Sequence, residues 1–207
     1  MTIDTKDLLN SILSSISRID YIRPNEIPNI DLYMDQVTTF MEEQLKRTKR
    51  YEEDKILTKT MINNYAKNNL LPPPVKKKYS KEHMLMLIFI YYFKNLLSFN
   101  DIEQLFKPIL ERHFAQDSGL SLEDIYREVF SLENSQMARL KEDVDAKFQA
   151  ARATFQEAGD TAGEQEYLQL FAFICELSFD VYLKKQMIEA LADQLRSEEP
   201  PAEKRKK

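Results

Sequence analysis

The sequence predicts an all-α fold. Three observations carry this expectation. Only three of the 207 residues are glycine while 43% are hydrophobic, a composition that favours helices. Apolar residues recur at i, i+3, i+4 and i+7 along much of the chain. Helix-start signatures punctuate the sequence at Ser80 and at "SFND" (98–101), "SLED" (121–124) and "TAGE" (161–164). The length suits one sizeable core, or a small domain with an appendage.

The elements follow in order. Residues 5–20 place Leu9, Ile12, Leu13 and Ile16 on one helical face, and the prolines of "RPNEIPN" (23–29) end that helix. A second helix is expected from about Ile30 to Arg47, with Leu32, Val37, Phe40, Met41 and Leu45 inward. "KRTKRYEEDK" (46–55) is charged and irregular. Thr58 suits the N-cap of a short helix reaching about Asn68, and Asn69 suits a left-handed position beyond it. Pro72 to Pro74 stop that helix. Ser80 should cap a helix ending near Leu97 and containing "MLMLIFIYYF" (84–93). Ten apolar residues cannot cross a bilayer, which takes about 20, so this helix should be buried on most sides. Further helices are expected near 122–132, 135–157 and 164–196. "AQDSG" (115–119) is the best boundary between halves, and residues 197–207 should be disordered. Any β-structure should be a two-stranded wing around residues 70–79.

Charge is unevenly spread. The net charge is −5, yet between Lys46 and Lys81 eleven Lys or Arg face three acids, a local +8. An acidic chain with one basic segment points to a local polyanion site; a solvated lysine-rich loop is the plainer alternative. On a helix, Met61, Ile62, Tyr65 and Ala66 share one side, and Lys59, Thr60, Asn63, Asn64 and Lys67 the other. Asn can pair bidentately with adenine, and Thr and Lys can reach bases or phosphates. Lys76, Lys77 and Lys78 at the end of a proline-stiffened connection could grip flanking phosphates. An ordinary surface helix and loop would read the same way from pattern alone.

The second half offers Leu170, Ile174, Leu177, Val181, Ile188, Leu191 and Leu195 on a 4-3 pattern, interrupted by Lys184. Met137, Leu140, Val144, Phe148, Ala151 and Phe155 form another stripe, so "EAGDTAG" (157–163) should join an antiparallel helical hairpin. Its apolar stripes serve a homodimer interface, an effector pocket or simply an intrachain core. The lone Cys175 excludes an internal disulfide and reads as a buried, inert thiol. His83 and His113 are far apart and lack the companions a metal site needs. No phosphate loop or nucleophile motif is present, and the acidic pairs are consecutive in sequence, so neither enzyme, cofactor nor metal is expected. A basic-then-apolar leader is absent from "MTIDTKDLLN", which fits a soluble cytoplasmic protein with no membrane partner.

Residues 60–106 resemble the DNA-binding domain of MerR-type (mercury-resistance) regulators. Tyr65, Leu70, Leu71 and Pro72 match the family's helix end, and Lys78 and Tyr79 its basic-x-Tyr wing end. Leu87, Ile90, Ser98, Phe99 and Ile102 match the helices that follow. Together with "IDLYMDQVTTFME" (30–42), the stretch looks still more like an uncharacterised bacterial family with MerR-like features, domain of unknown function 1836. The sequence departs from the MerR pattern at Asn63, Asn64 and Asn69, where Arg, Tyr and Gly are usual, and its wing is shorter and without glycine. The resemblance implies an all-α, MerR-like winged helix-turn-helix domain at 24–114, after an N-terminal helix at 1–23. A C-terminal dimerisation or effector region would occupy 120–196, before the tail at 197–207. It implies a sequence-specific, dimeric transcription regulator that contacts double-stranded DNA through the eight residues named above and Tyr79. A small-molecule effector remains open, as does the alternative of a helical protein-interaction module on a degenerate winged-helix scaffold.

Overall fold

The computed structural model describes residues 5–16, 21–115, 119–132, 136–157 and 163–197. In chain order these form α1 (Thr5–Ile16), β1 (Leu32–Tyr33), α2 (Met34–Leu45), α3 (Lys59–Lys67), β2 (Lys78–Tyr79), α4 (Lys81–Phe93), α5 (Phe99–His113), α6 (Leu122–Ser131), α7 (Gln136–Arg152) and α8 (Glu164–Ser197). The described residues are mostly helical. They divide into two compact units, residues 1–20 with 131–187, and residues 21–130 with 188–207.

The 21–130 unit is built around α4. Every side chain from His83 to Ile90 is buried, so this helix has no solvent face over those two turns. Around it pack Val37, Met41 and Leu45 from α2, Ile62 and Tyr65 from α3, Ile102 and Phe106 from α5, and Leu122 and Tyr126 from α6. The apolar run therefore behaves as expected of a core helix. Its helix ends at Phe93, short of Leu97, in a turn where the N–H groups of Leu96 and Leu97 both donate to the Phe93 carbonyl at 2.9 Å. Ser98 then caps α5 by accepting from the Asp101 N–H, and Ser121 caps α6 by accepting from Asp124 at 3.1 Å. Both fulfil the capping boxes read in the sequence; Thr161 and Ala162 of the third lie outside the described residues.

One local expectation is corrected. Residues 30–33 are not helical: β1 pairs antiparallel with β2, Leu32 opposite Tyr79 and Tyr33 opposite Lys78. The two-stranded sheet is thus not confined to residues 70–79. Pairing with Tyr79, 47 positions later, overrides the helical placement of Leu32, which is buried from a strand instead. α2 starts only at Met34, where the Gln36 side chain accepts from the Tyr33 N–H at 2.9 Å. Residues 46–58 separate α2 from α3, as the irregular 46–55 stretch and the Thr58 cap led one to expect, although this is longer than the 3–4-residue turn of an ordinary helix-turn-helix. The segment is tied down: Ile56 and Leu57 are buried, Lys94 donates to the Ile56 carbonyl at 2.8 Å, and Thr48 meets the Tyr91 hydroxyl.

The other unit has its own small core. Leu9 of α1 joins Val144, Phe148 and Ala151 of α7 and Phe173 of α8, with the Phe148 and Phe173 rings edge to face at 5.4 Å. The N-terminal helix is therefore packed against the α7–α8 hairpin. Residues 116–118 of "AQDSG" and the tail from 198 onward lie outside the described residues.

One buried bond closes the 21–130 unit. The Tyr126 hydroxyl, on a fully buried ring, donates to the Ile22 carbonyl at 2.6 Å. Tyr126→Phe keeps the ring and leaves that carbonyl unpaired, which should cost about 1–3 kcal/mol. A lowered urea midpoint with unchanged m-value is the expected result; an unchanged midpoint would show that the bond contributes nothing.

Candidate nucleic-acid interface

α3 is amphipathic, with Ile62 and Tyr65 in the core and Thr60, Asn63, Asn64 and Lys67 exposed on its other face. Thr58 caps its start by accepting from the Met61 N–H at 3.2 Å. At its end Asn69 adopts φ 57°, and the Leu70 N–H reaches back to the Tyr65 carbonyl at 2.9 Å. This is a Schellman stop with asparagine in the position glycine usually takes, as its sequence suggested. Leu70 and Leu71 are buried, so the chain leaves the helix in a fixed direction.

That direction leads through Pro72–Pro74 into a tight hairpin. Val75 and Lys78 exchange both backbone hydrogen bonds, Val75 N–H to Lys78 at 3.1 Å and Lys78 N–H to Val75 at 2.9 Å. The two residues between them, Lys76 and Lys77, have φ 51° and 65°. A two-residue loop with both φ positive has type I′ geometry, which strongly prefers Asn-Gly. Two lysines here cost roughly 1–2 kcal/mol each relative to an unstrained backbone. Both side chains are exposed, and among the described residues neither they nor Lys67 enters an ion pair.

Other predicted contacts are placed differently. Lys59 is ion-paired with Asp35, in the first turn of α2. Tyr79 is only 3% exposed and anchors the hairpin in the core, with its ring edge-on to His83 at 5.5 Å. Lys78 is half-buried, its ammonium 5.3 Å from the centre of the Tyr33 ring. Acids also border α3: Asp35 at one end, and Glu103 accepting from Asn69 at 3.2 Å at the other. Sequence reading missed Tyr33, Asp35 and Glu103, because each reaches this region only through tertiary pairing. In the second half, Leu170 and Leu177 pack into the small core of the 1–20/131–187 unit, and Ile188 packs against the core around α4. Ile174 and Val181 are exposed, as are Leu191 and Leu195; Cys175 is half-buried rather than fully enclosed.

His83 underlies the hairpin. It takes the third position of α4, where its Nδ1 accepts from the Ser80 N–H at 3.0 Å, so the ring proton sits on Nε2. Nε2 has no well-formed hydrogen bond, and the Phe114 ring stands edge-on at 4.8 Å. Burial lowers its pKa below the ordinary value; the carbonyl of Pro73, the carboxylate of Glu82, the carbonyl of Pro72 and Asp31 oppose the shift without reversing it. A histidine kept neutral by the fold binds protons more readily unfolded, so its contribution is complete above about 6.5 and is lost as pH falls through the lower folded value. Unfolding free energy should therefore decline as pH falls below about 6.5, and His83→Gln should flatten that decline. Identical profiles in the two proteins would place the titrating group elsewhere.

The chain also matches the model of a family described as Domain of unknown function (DUF1836), over residues 22–129. No curated protein and no solved structure matches it. The matched span nearly coincides with the 21–130 part of the α4-centred unit, from the Ile22 carbonyl to the end of α6. With more than half of its 207 residues matched, the chain belongs to the DUF1836 family.

Proposed function

We propose that the 21–130 segment is a DNA-binding domain of the MerR-like winged helix-turn-helix kind, in a cytoplasmic transcription regulator. α3 would enter the major groove, with Thr60, Asn63, Asn64 and Lys67 facing the base edges, and the 72–79 hairpin would rest on flanking phosphate. One observation carries the reading: two adjacent exposed lysines occupy a backbone conformation that disfavours them. Local propensity calls for Asn-Gly there, so charge at the tip is the gain that offsets the strain. The regulator would act as a homodimer, as supported by Phe171, Ile174, Val181 and Tyr182, each more than half exposed on one stretch of α8.

A second reading is supported by the acids. Lys59 is engaged by Asp35, Asn69 by Glu103, and the long 46–58 segment departs from a compact helix-turn-helix. These features suit a protein-interaction module that keeps the scaffold without reading DNA.

Fluorescence anisotropy with a random duplex pool at about 50 and about 200 mM salt separates the two. The decisive variant is Lys76→Asn with Lys77→Gly. It should raise stability by about 1–3 kcal/mol through strain relief, while the logarithmic salt slope shrinks by about two. A stabilised variant that binds like wild type would remove the lysines from the interface. Absence of any binding by wild type at low salt would leave the protein-interaction reading. For the dimer, sedimentation velocity should show Ile174→Glu/Val181→Glu as a helical monomer against a dimeric wild type; a monomeric wild type would end that part of the proposal.

A further inference from the structure

Strand pairing brings to the lysine hairpin a residue that lies far from it in sequence. Tyr33 sits directly opposite Lys78, and Lys78 in turn bridges to Val75, so the three form one row across the small sheet. The neighbouring pair, Leu32 and Tyr79, is buried. Because side chains alternate across a strand, the row Tyr33–Lys78–Val75 belongs to the opposite, solvent-facing side. Tyr33 and Val75 are 52% and 70% exposed, which confirms that assignment.

Tyr33 is an unusual residue to leave there. Its backbone N–H donates to the Gln36 side chain at 2.9 Å. Its ring holds the Lys78 ammonium at 5.3 Å from the centroid. A lysine stem has four carbons and wide rotamer freedom; attraction to an aromatic face narrows that freedom without consuming any of the three N–H donors. The result is a phenol O–H and an ammonium on the same solvent-facing row, both donors, next to the tip lysines Lys76 and Lys77.

We propose that Tyr33 is a further phosphate-contacting residue of this interface, its hydroxyl and the Lys78 ammonium donating to one phosphodiester of duplex DNA. The inference rests on the DNA-binding reading and adds to it a residue from outside the helix and hairpin. The ring positions Lys78; the hydroxyl supplies a charge-assisted hydrogen bond of its own.

The test compares Tyr33→Phe, Tyr33→Ala and Lys78→Ala in the full chain, with the random duplex pool across a salt series. Thermal melts first establish that each variant is folded. Tyr33→Phe should weaken binding about tenfold with an unchanged salt slope, since it removes a hydrogen bond to a charged group but no charge. Tyr33→Ala should bind at least as weakly, and Lys78→Ala should lose about one unit of slope. If Tyr33→Phe binds like wild type while Lys76, Lys77, Lys78→Ala loses salt dependence, the DNA reading survives and the role of Tyr33 is overturned. If wild type fails to bind at low salt, the DNA reading fails first and this proposal with it.

Discussion

The constraint on which the α4-centred unit depends is a helix with no outward side. From His83 to Ile90 every side chain of α4 is buried, so each neighbouring element must bring an apolar face to it. Its N-terminus also carries a cap. Ser80 and His83 form it together, and the cap fixes where the preceding strand ends. Tyr79 is buried one residue earlier, so the exposed lysine tip begins within three residues of the core. The stiffness of the hairpin is thus inherited from α4.

Proline adds to that inheritance on the other side. Leu70 and Leu71 are buried before the three prolines, and Tyr79 after the tip, leaving a short span held at both ends. Such a span tolerates left-handed lysines because the surroundings over-determine its path. A looser loop would relax to ordinary backbone angles and swing its charges. Rigidity and charge therefore occur together for a physical reason: the same anchoring that stores the strain keeps the ammonium groups in place. The acids at the ends of α3 partly offset the positive charge there.

How much of this was legible in the sequence depended on the range of the interaction. Caps at Thr58, Ser98 and Ser121, the left-handed Asn69 and the burial of 84–90 are set within a few residues, and each stands where its sequence pattern placed it. β1 was not legible, because "IDLY" has helical periodicity and its strand partner lies 45 residues away. The same reason hid the Tyr33–Lys78 contact, the Lys59–Asp35 pair and the Glu103 bond to Asn69. The 4-3 stripe of α8 was visible as a pattern, but its members divide among two cores and an exposed face, and pattern alone cannot choose among partners.

The bond from Tyr126 to Ile22, with the packing of Leu9 against Phe173, has a consequence for the order in which the protein completes itself. The buried residues around α4 all lie between Ile22 and Tyr126, so this core can close once α6 has left the ribosome. α1 is made first yet finds its partners last, since Val144, Phe148 and Phe173 are synthesised after the entire first core. Domains fold largely as units as the chain emerges. The amphipathic N-terminal segment must therefore wait, with its apolar face unshielded, while the part of the chain proposed to meet DNA is already built.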